Sequence, residues 1–127
     1  MMNPKDLKYS KDHEWIKLQS DNSALIGITE FATDSLGDVV FIELPDVGSK
    51  IKQFEKIGEI ESVKAVSDIY TPISGEIIEQ NTELIDNPEL INNSPFEDGW
   101  MFKVKNIDSN ELTNLMDADE YDKLIED

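Results

Sequence analysis

The hydrophobic positions along this chain change period several times, and each change marks a new element. From His13 to Leu18 apolar and polar residues alternate weakly, and Gln19-Ser20-Asp21-Asn22-Ser23 breaks the run. Ala24 to Ile28 then alternates again, which predicts a hairpin. Thr29 reads as an N-cap, Phe31, Ala32 and Leu36 share one helical face, and Gly37 suits the C′ position, so a short helix is predicted over 30–36. Val39 to Leu44 predicts a buried strand halted by Pro45. A Pro-Asp-Val-Gly turn follows, in which Gly48 supplies a backbone angle that side chains disfavour. Ile51, Phe54, Ile57 and Ile60 anchor the approach to the stretch that organises the chain, Gly58 to Ile78.

In that stretch apolar residues recur at 60, 66, 69, 73 and 77–78, in two β-prone arms on either side of Lys64. Pro72 and Gly75 punctuate the second arm. The simplest reading is a β-hairpin whose tip carries Val63-Lys64-Ala65, a solvated primary amine that an enzyme can grip by its backbone. Beyond it, Ile77-Ile78 and Leu84-Ile85 read as short strands or turns, and Asn87 to Ile91 as one helical turn. Trp100, Phe102 and Val104 have period two and predict a closing strand. Asp108-Ser109-Asn110-Glu111 has capping-box spacing and opens a helix bearing Leu112, Leu115 and Met116. Asp117 to Glu120 starts a final helix with Tyr121, Leu124 and Ile125.

Composition narrows the chemistry. At 127 residues the chain fits one domain that buries roughly two thirds of its unfolded surface. Within it, 108–127 is expected to form a C-terminal helical extension packed on the rest. There is no cysteine, so the polypeptide has no thiol chemistry of its own, and sulfur for a redox role must come from an attached group. The single histidine, His13, argues against a Ser-His-Asp centre and a histidine-based zinc site, and no catalytic or metal-ligating residue is assigned. His13 and Trp15 read as packing residues. Net charge is −17, and all eleven cations are lysines. Such a surface repels phosphate backbones and anionic lipid, so neither nucleic acid nor membrane is an expected partner. Two readings of this charge stand side by side: solubility alone, and electrostatic guidance onto basic rims of larger enzymes. No apolar run approaches the ~18 residues of a membrane span, and the N-terminus has neither an apolar core nor arginine, so it reads as neither a secretory signal nor a transit peptide. A cytoplasmic location is expected, and a mature organellar protein with its presequence removed would look the same.

Glu61-Ser62-Val63-Lys64-Ala65-Val66-Ser67-Asp68 resembles the attachment site of lipoyl carrier domains, and specifically that of the glycine cleavage system H-protein family. The similarity extends through Tyr9 to Trp15, Gly27-Ile28-Thr29, Leu36 to Pro45, Pro72 to Glu76, Asp86 to Asn92 and Ser94 to Met101. Biotinyl domains usually set methionine on both sides of the lysine, and 2-oxoacid dehydrogenase lipoyl domains usually carry Asp-Lys-Ala. Here the neighbours are Val63 and Ala65.

The resemblance implies a mainly β fold, the barrel–sandwich hybrid of lipoyl and biotinyl domains, with a short helix in the N-terminal half and helices at the C-terminus. It implies a lipoyl group (lipoic acid) covalently bound to Lys64. It implies recognition of the hairpin by a lipoate ligase or an octanoyl/lipoyl transferase through Glu61, Gly48 and Gly75, the glycines standing sixteen residues before and eleven after the lysine. Turn geometry is the competing account of both glycines. The family is not itself catalytic: it carries the aminomethyl group of glycine from the pyridoxal-phosphate glycine decarboxylase (P protein) to the tetrahydrofolate-dependent aminomethyltransferase (T protein), and dihydrolipoamide dehydrogenase (L protein) reoxidises the dithiol. The loaded arm is expected to fold into a cleft whose carboxylates face the amine, drawn from Glu14, Asp12 and Asp68. Many relatives have serine where this chain has Asp12. An alternative within the family is a lipoyl relay that donates its group to 2-oxoacid dehydrogenase subunits.

Overall fold

Alternation of apolar and polar residues in the N-terminal half produces strands, and glycine, proline and the polar turns separate them. The computed structural model describes residues 3–126. Strands β1 (Lys8–Tyr9), β2 (Glu14–Leu18) and β3 (Ser23–Ile28) run antiparallel, and helix α1 (Glu30–Leu36) follows. Thr29 caps α1 by accepting from the Ala32 amide, and Gly37 ends it at φ 82°. Next come β4 (Val39–Glu43), β5 (Lys50–Ile51), β6 (Lys56–Ser62), β7 (Val66–Tyr70) and β8 (Gly75–Gln80). Two helical turns, α2 (Glu83–Asp86) and α3 (Leu90–Asn93), lead to β9 (Phe102–Lys105), a 3-10 turn over Ser109–Asn114 and the last helix, α4 (Ala118–Glu126).

The strands form a six-stranded sheet in the order β1-β2-β3-β9-β8-β5 and a three-stranded sheet in the order β4-β6-β7. Ile16, Ile26, Ile77 and Phe102 of the first sheet pack with Ile42, Ile60 and Ile69 of the second in one core. This is the mainly β, barrel–sandwich architecture. A smaller cluster of Leu7, Tyr9, Trp15, Ala118 and Tyr121 fastens α4 to the other side of β1 and β2. Trp15 lies so close over Gly27 that a Cβ there would meet the indole at 2.5 Å.

Several local expectations give way to tertiary contacts. The second arm of the lysine hairpin is two strands: β7 ends at Tyr70, and β8 crosses to the other sheet. Leu84-Ile85 lie in a helical turn, which buries Leu84 completely. Phe54 anchors nothing, being 41% exposed at φ 67°, although Ile51 and Ile60 are buried. The segment after Asp108 is a 3-10 turn, because Glu111 does not close a capping box; its carboxylate accepts from Ser74 N and Oγ instead. The reciprocal box forms at Asp117 and Glu120, each side chain accepting from the other's amide.

Gly58 permits the contact between β4 and β6. A Cβ there would stand 2.1 Å from the Glu43 carbonyl oxygen, so the two backbones approach only because none exists. Gly58→Ala is expected to lower stability by roughly 1–3 kcal/mol, as overpacked cores do. A urea midpoint equal to that of the unsubstituted chain would contradict this.

Candidate functional site

The hairpin of β6 and β7 turns at Val63-Lys64 with no positive φ at either residue, so it is not one of the primed turns that match strand twist. The Ser62 amide donates to the Ala65 carbonyl at 2.8 Å. The returning amides find a side chain instead: Ser62 Oγ accepts from Lys64 N at 3.3 Å and Ala65 N at 3.1 Å. The tip is also tied to the chain beneath it, since Val63 N donates to the Asp38 carbonyl at 3.0 Å. Asn92 holds that lower loop from both sides, accepting from Val39 N at 2.9 Å and donating to the Gly37 carbonyl at 2.8 Å. Lys64 is exposed. Its stem passes over Gly37, where an added Cβ would lie 3.4 Å from Lys64 Cε.

A cleft of about 220 Å³ opens beside this stem. Leu36, next to Gly37, stands at one part of its lining, and Phe31 and Ala32 continue along α1. Ile60, Ser67 and Ile69 form the facing wall, and Asp12, His13 and Glu14 complete it. β7 is the outer strand of its sheet, so its free edge faces this space. The Tyr70 amide on that edge donates to Glu14 Oε2 at 3.4 Å.

Glu14 shares the inward phase of Ile16 on β2, and the pleat therefore carries a carboxyl group into the core's margin. It is 2% exposed. Ser10 Oγ donates to its Oε1 at 2.6 Å and accepts from its amide at 3.2 Å. Burial, which disfavours the charged form, pushes the carboxyl up to about 8, against the pull of the Ser10 hydrogen bond. No cation pairs with it among the described residues. Near neutral pH this environment therefore favours the protonated form of the acid.

The wall around Glu14 is fastened from the far end of the chain. Tyr121 of α4 stacks on Tyr9 with ring centroids 4.8 Å apart. Its hydroxyl lies 2.8 Å from His13 Nδ1 and 2.7 Å from Thr29 Oγ1. Thr29 Oγ1 already accepts from Ala32 N, so a consistent chain runs from that amide through the Thr29 and Tyr121 hydroxyls to a neutral His13. Burial lowers the His13 pKa and keeps it neutral. His13 sits at φ 70° and packs against Phe31 at 4.8 Å.

The structure brings Asp12, Glu14 and Asp68 onto one cleft with unequal roles for their carboxylates. Asp12 is exposed at the rim. Asp68 has the outward phase of β7, and Lys56 Nζ at 3.2 Å and the Tyr70 hydroxyl at 3.3 Å hold its carboxylate there. Glu61 is exposed on the same outer face, opposite Val66. Gly48 and Gly75 belong to the other sheet, around the β5–β8 pair. Gly48 needs its φ of 93°, and a Cβ on Gly75 would strike the Lys105 carbonyl oxygen at 2.7 Å, so each has a local structural reason. Ser10, Tyr70, Asn92 and Tyr121 escaped the sequence reading. Only Glu14's burial had a legible signal, its phase with Ile16 and Leu18. Among the described residues no acidic, histidine or cysteine cluster could hold a metal, and no helix is long and apolar enough to cross a membrane.

The family model described as glycine cleavage H-protein matches residues 7–127. The chain is similar to the glycine cleavage system H protein of Brevibacillus brevis, 51% identical over 124 residues that cover 98% of each chain. It is similar also to that of Symbiobacterium thermophilum, 55% identical over 119 residues, 94% of this chain and 92% of the relative. The crystal structure of a glycine cleavage system H protein from Mycobacterium marinum superposes with a TM-score of 0.86 at 38% identity, covering 95% of this chain and 97% of that one.

The raised pKa of Glu14 has a stability consequence with a definite sign. Below its ordinary value of 4.5 both folded and unfolded chains hold the proton; between there and about 8 only the folded chain does, so stability falls as pH rises through that window. Glu14→Gln removes this slope. Its thermal midpoint relative to the unsubstituted chain should climb between pH 5 and pH 9, and a constant difference would show that Glu14 is not buried neutral.

Proposed function

The chain belongs to the glycine cleavage H-protein family, and on that premise we propose that it is the lipoyl carrier of that system, with Lys64 as the attachment point. In this reading the chain performs no chemistry alone. It takes the aminomethyl group from the pyridoxal-phosphate glycine decarboxylase, presents it to the tetrahydrofolate-dependent aminomethyltransferase, and returns to dihydrolipoamide dehydrogenase for reoxidation. The observation that carries the proposal is the pairing of an exposed lysine on a braced tip with an adjacent cleft that holds a buried acid.

The residues fit the group. An amine at the end of a flexible stem is reachable by a modifying enzyme, and the cleft beside it has the apolar walls that a dithiolane ring requires. When bound, lipoate supplies the sulfur that accepts the one-carbon cargo and the couple that is later reoxidised. The chain's own part is to orient and shelter. Ile60, Ile69 and Ala32 exclude water from the arm, and Glu14 exchanges its proton for an ion pair with the cargo amine. Asp12 adds negative potential at the rim. Asp68 contributes its backbone edge to the wall, because Lys56 already occupies its carboxylate. In this reading the whole chain acts as one carrier unit whose C-terminal extension is 108–127, of which the described residues to 126 meet β1 through the Tyr9–Met116 bridge and the Tyr121 ring.

Two substitutions test this. Lys64→Arg should fold normally and gain no mass when given lipoate, ATP and a lipoate ligase; an added lipoyl group on that variant would refute the attachment site. Glu14→Ala should accept lipoate but release its cargo amine roughly tenfold faster, the scale of one charge-assisted hydrogen bond lost. An unchanged release rate would remove Glu14 from the sheltering role.

A further inference from the structure

β4 departs from the alternation that β6 keeps. Its register slips by one between Val39, opposite Ser62, and Phe41, opposite Glu61. The bulge leaves Val40 and Phe41 both outside, 49% and 54% exposed, where strict alternation would send one inward. Cross-strand pairing then sets Phe41, Glu61 and Val66 in a single row on the outer face. Val63 at the tip is 69% exposed and Val66 is 62% exposed. Of the nine large apolar side chains exposed among the described residues, these four gather around one lysine.

β4 is an edge strand, where an exposed aromatic invites unwanted pairing. The surrounding charge opposes that outcome. Asp38 lies beneath the tip, Glu61 interrupts the apolar row, and Glu43 and Glu59 fill the next row. Glu43 and Glu61 take part in no ion pair among the described residues. On a chain of net charge −17, two copies of this face repel each other. What it complements is an apolar hollow set in a basic rim.

We propose that this outer face of β4, β6 and β7 seats the enzyme that acylates Lys64, with Phe41 and Val66 filling its hollow. The proposal rests on the carrier reading above and names the partner of that site. The occupant follows from reach. The amine hangs on a four-carbon stem, so an enzyme acting on the nitrogen itself must descend to the tip and cover Val63 and Val66. Partners that meet the lengthened arm work farther out and have no need to cover them. In the step served, the Lys64 nitrogen attacks the carboxyl carbon of a lipoyl adenylate. A C–N bond forms, the bond from that carbon to the phosphate oxygen breaks with its electron pair leaving on AMP, and two protons of the ammonium pass to solvent.

The test uses the full unmodified chain, a purified lipoate–protein ligase, lipoate and ATP, with acylation followed by intact mass. Phe41→Ser/Val66→Ser should lower kcat/KM roughly 10–100-fold, mainly through KM, as loss of interface anchors does. The Kd for the ligase without ATP should rise by the same factor. Phe41→Leu should lose less, and Ile85→Ser, equally exposed but elsewhere, should lose nothing. Unchanged KM and Kd in the double variant overturn the proposal. So does an equal loss when that variant, lipoylated with excess ligase, is offered to glycine decarboxylase, because the face would then not be specific to acylation. An unsubstituted chain that gains no mass at Lys64 overturns the carrier reading itself, a separate failure.

Discussion

Ser62 Oγ accepts the amides of both Lys64 and Ala65, and those two bonds let a hairpin turn tightly without glycine or a left-handed residue at its tip. A lysine exposed to solvent has no packing to define its position, so exposure and a fixed position make opposing demands. The chain separates the two requirements: the side chain is free, and the backbone under it is fixed. Asp38 and Asn92 extend the bracing downward, so the tip rests on the loop between α1 and β4 as well as on its own strands. Exposure of the amine and definition of its position thus come from different groups.

The cleft reverses that arrangement. There a polar side chain is placed where the fold would otherwise set a hydrophobe, because Glu14 follows the inward phase of Ile16. The cost of a buried charge is reduced by favouring the protonated form, because desolvation raises the carboxyl's pKa. Asp68 illustrates the contrast. One sheet away and with outward phase, it stays among solvated charges and pairs with Lys56. Phase within a strand, more than residue type, decides which carboxyl is buried.

The hairpin of β2 and β3, helix α1 with its Thr29 cap, the span of β4 and the lysine tip were legible because neighbouring residues carry their signals. β4 is not the buried strand expected, however, since Val40, Phe41 and Glu43 face outward. The misreadings share one cause. Asp108 to Glu111 has the spacing of a capping box, but Glu111 finds a better pair of donors on Ser74, and the box forms nine residues later at Asp117. Leu84 reads from sequence as part of either a short strand or a turn, because a single buried leucine has no period. Asn92 and Tyr121 act through hydrogen bonds to residues more than fifty positions away, and nothing in their local sequence marks them. The bulge at Val40 was invisible for the same reason: it exists only relative to β6.

Tyr121 joins His13 and Thr29 across 108 and 92 residues of sequence. On the ribosome, the strands that display Lys64 have left the exit tunnel well before α4 is translated. The pocket's side wall acquires this fastening only once α4 has been made. Display of the amine and fastening of the cleft wall therefore mature at different moments in the life of a nascent polypeptide, and a product lacking α4 would keep the Ser62 brace but lose the Tyr121 hydroxyl beside His13.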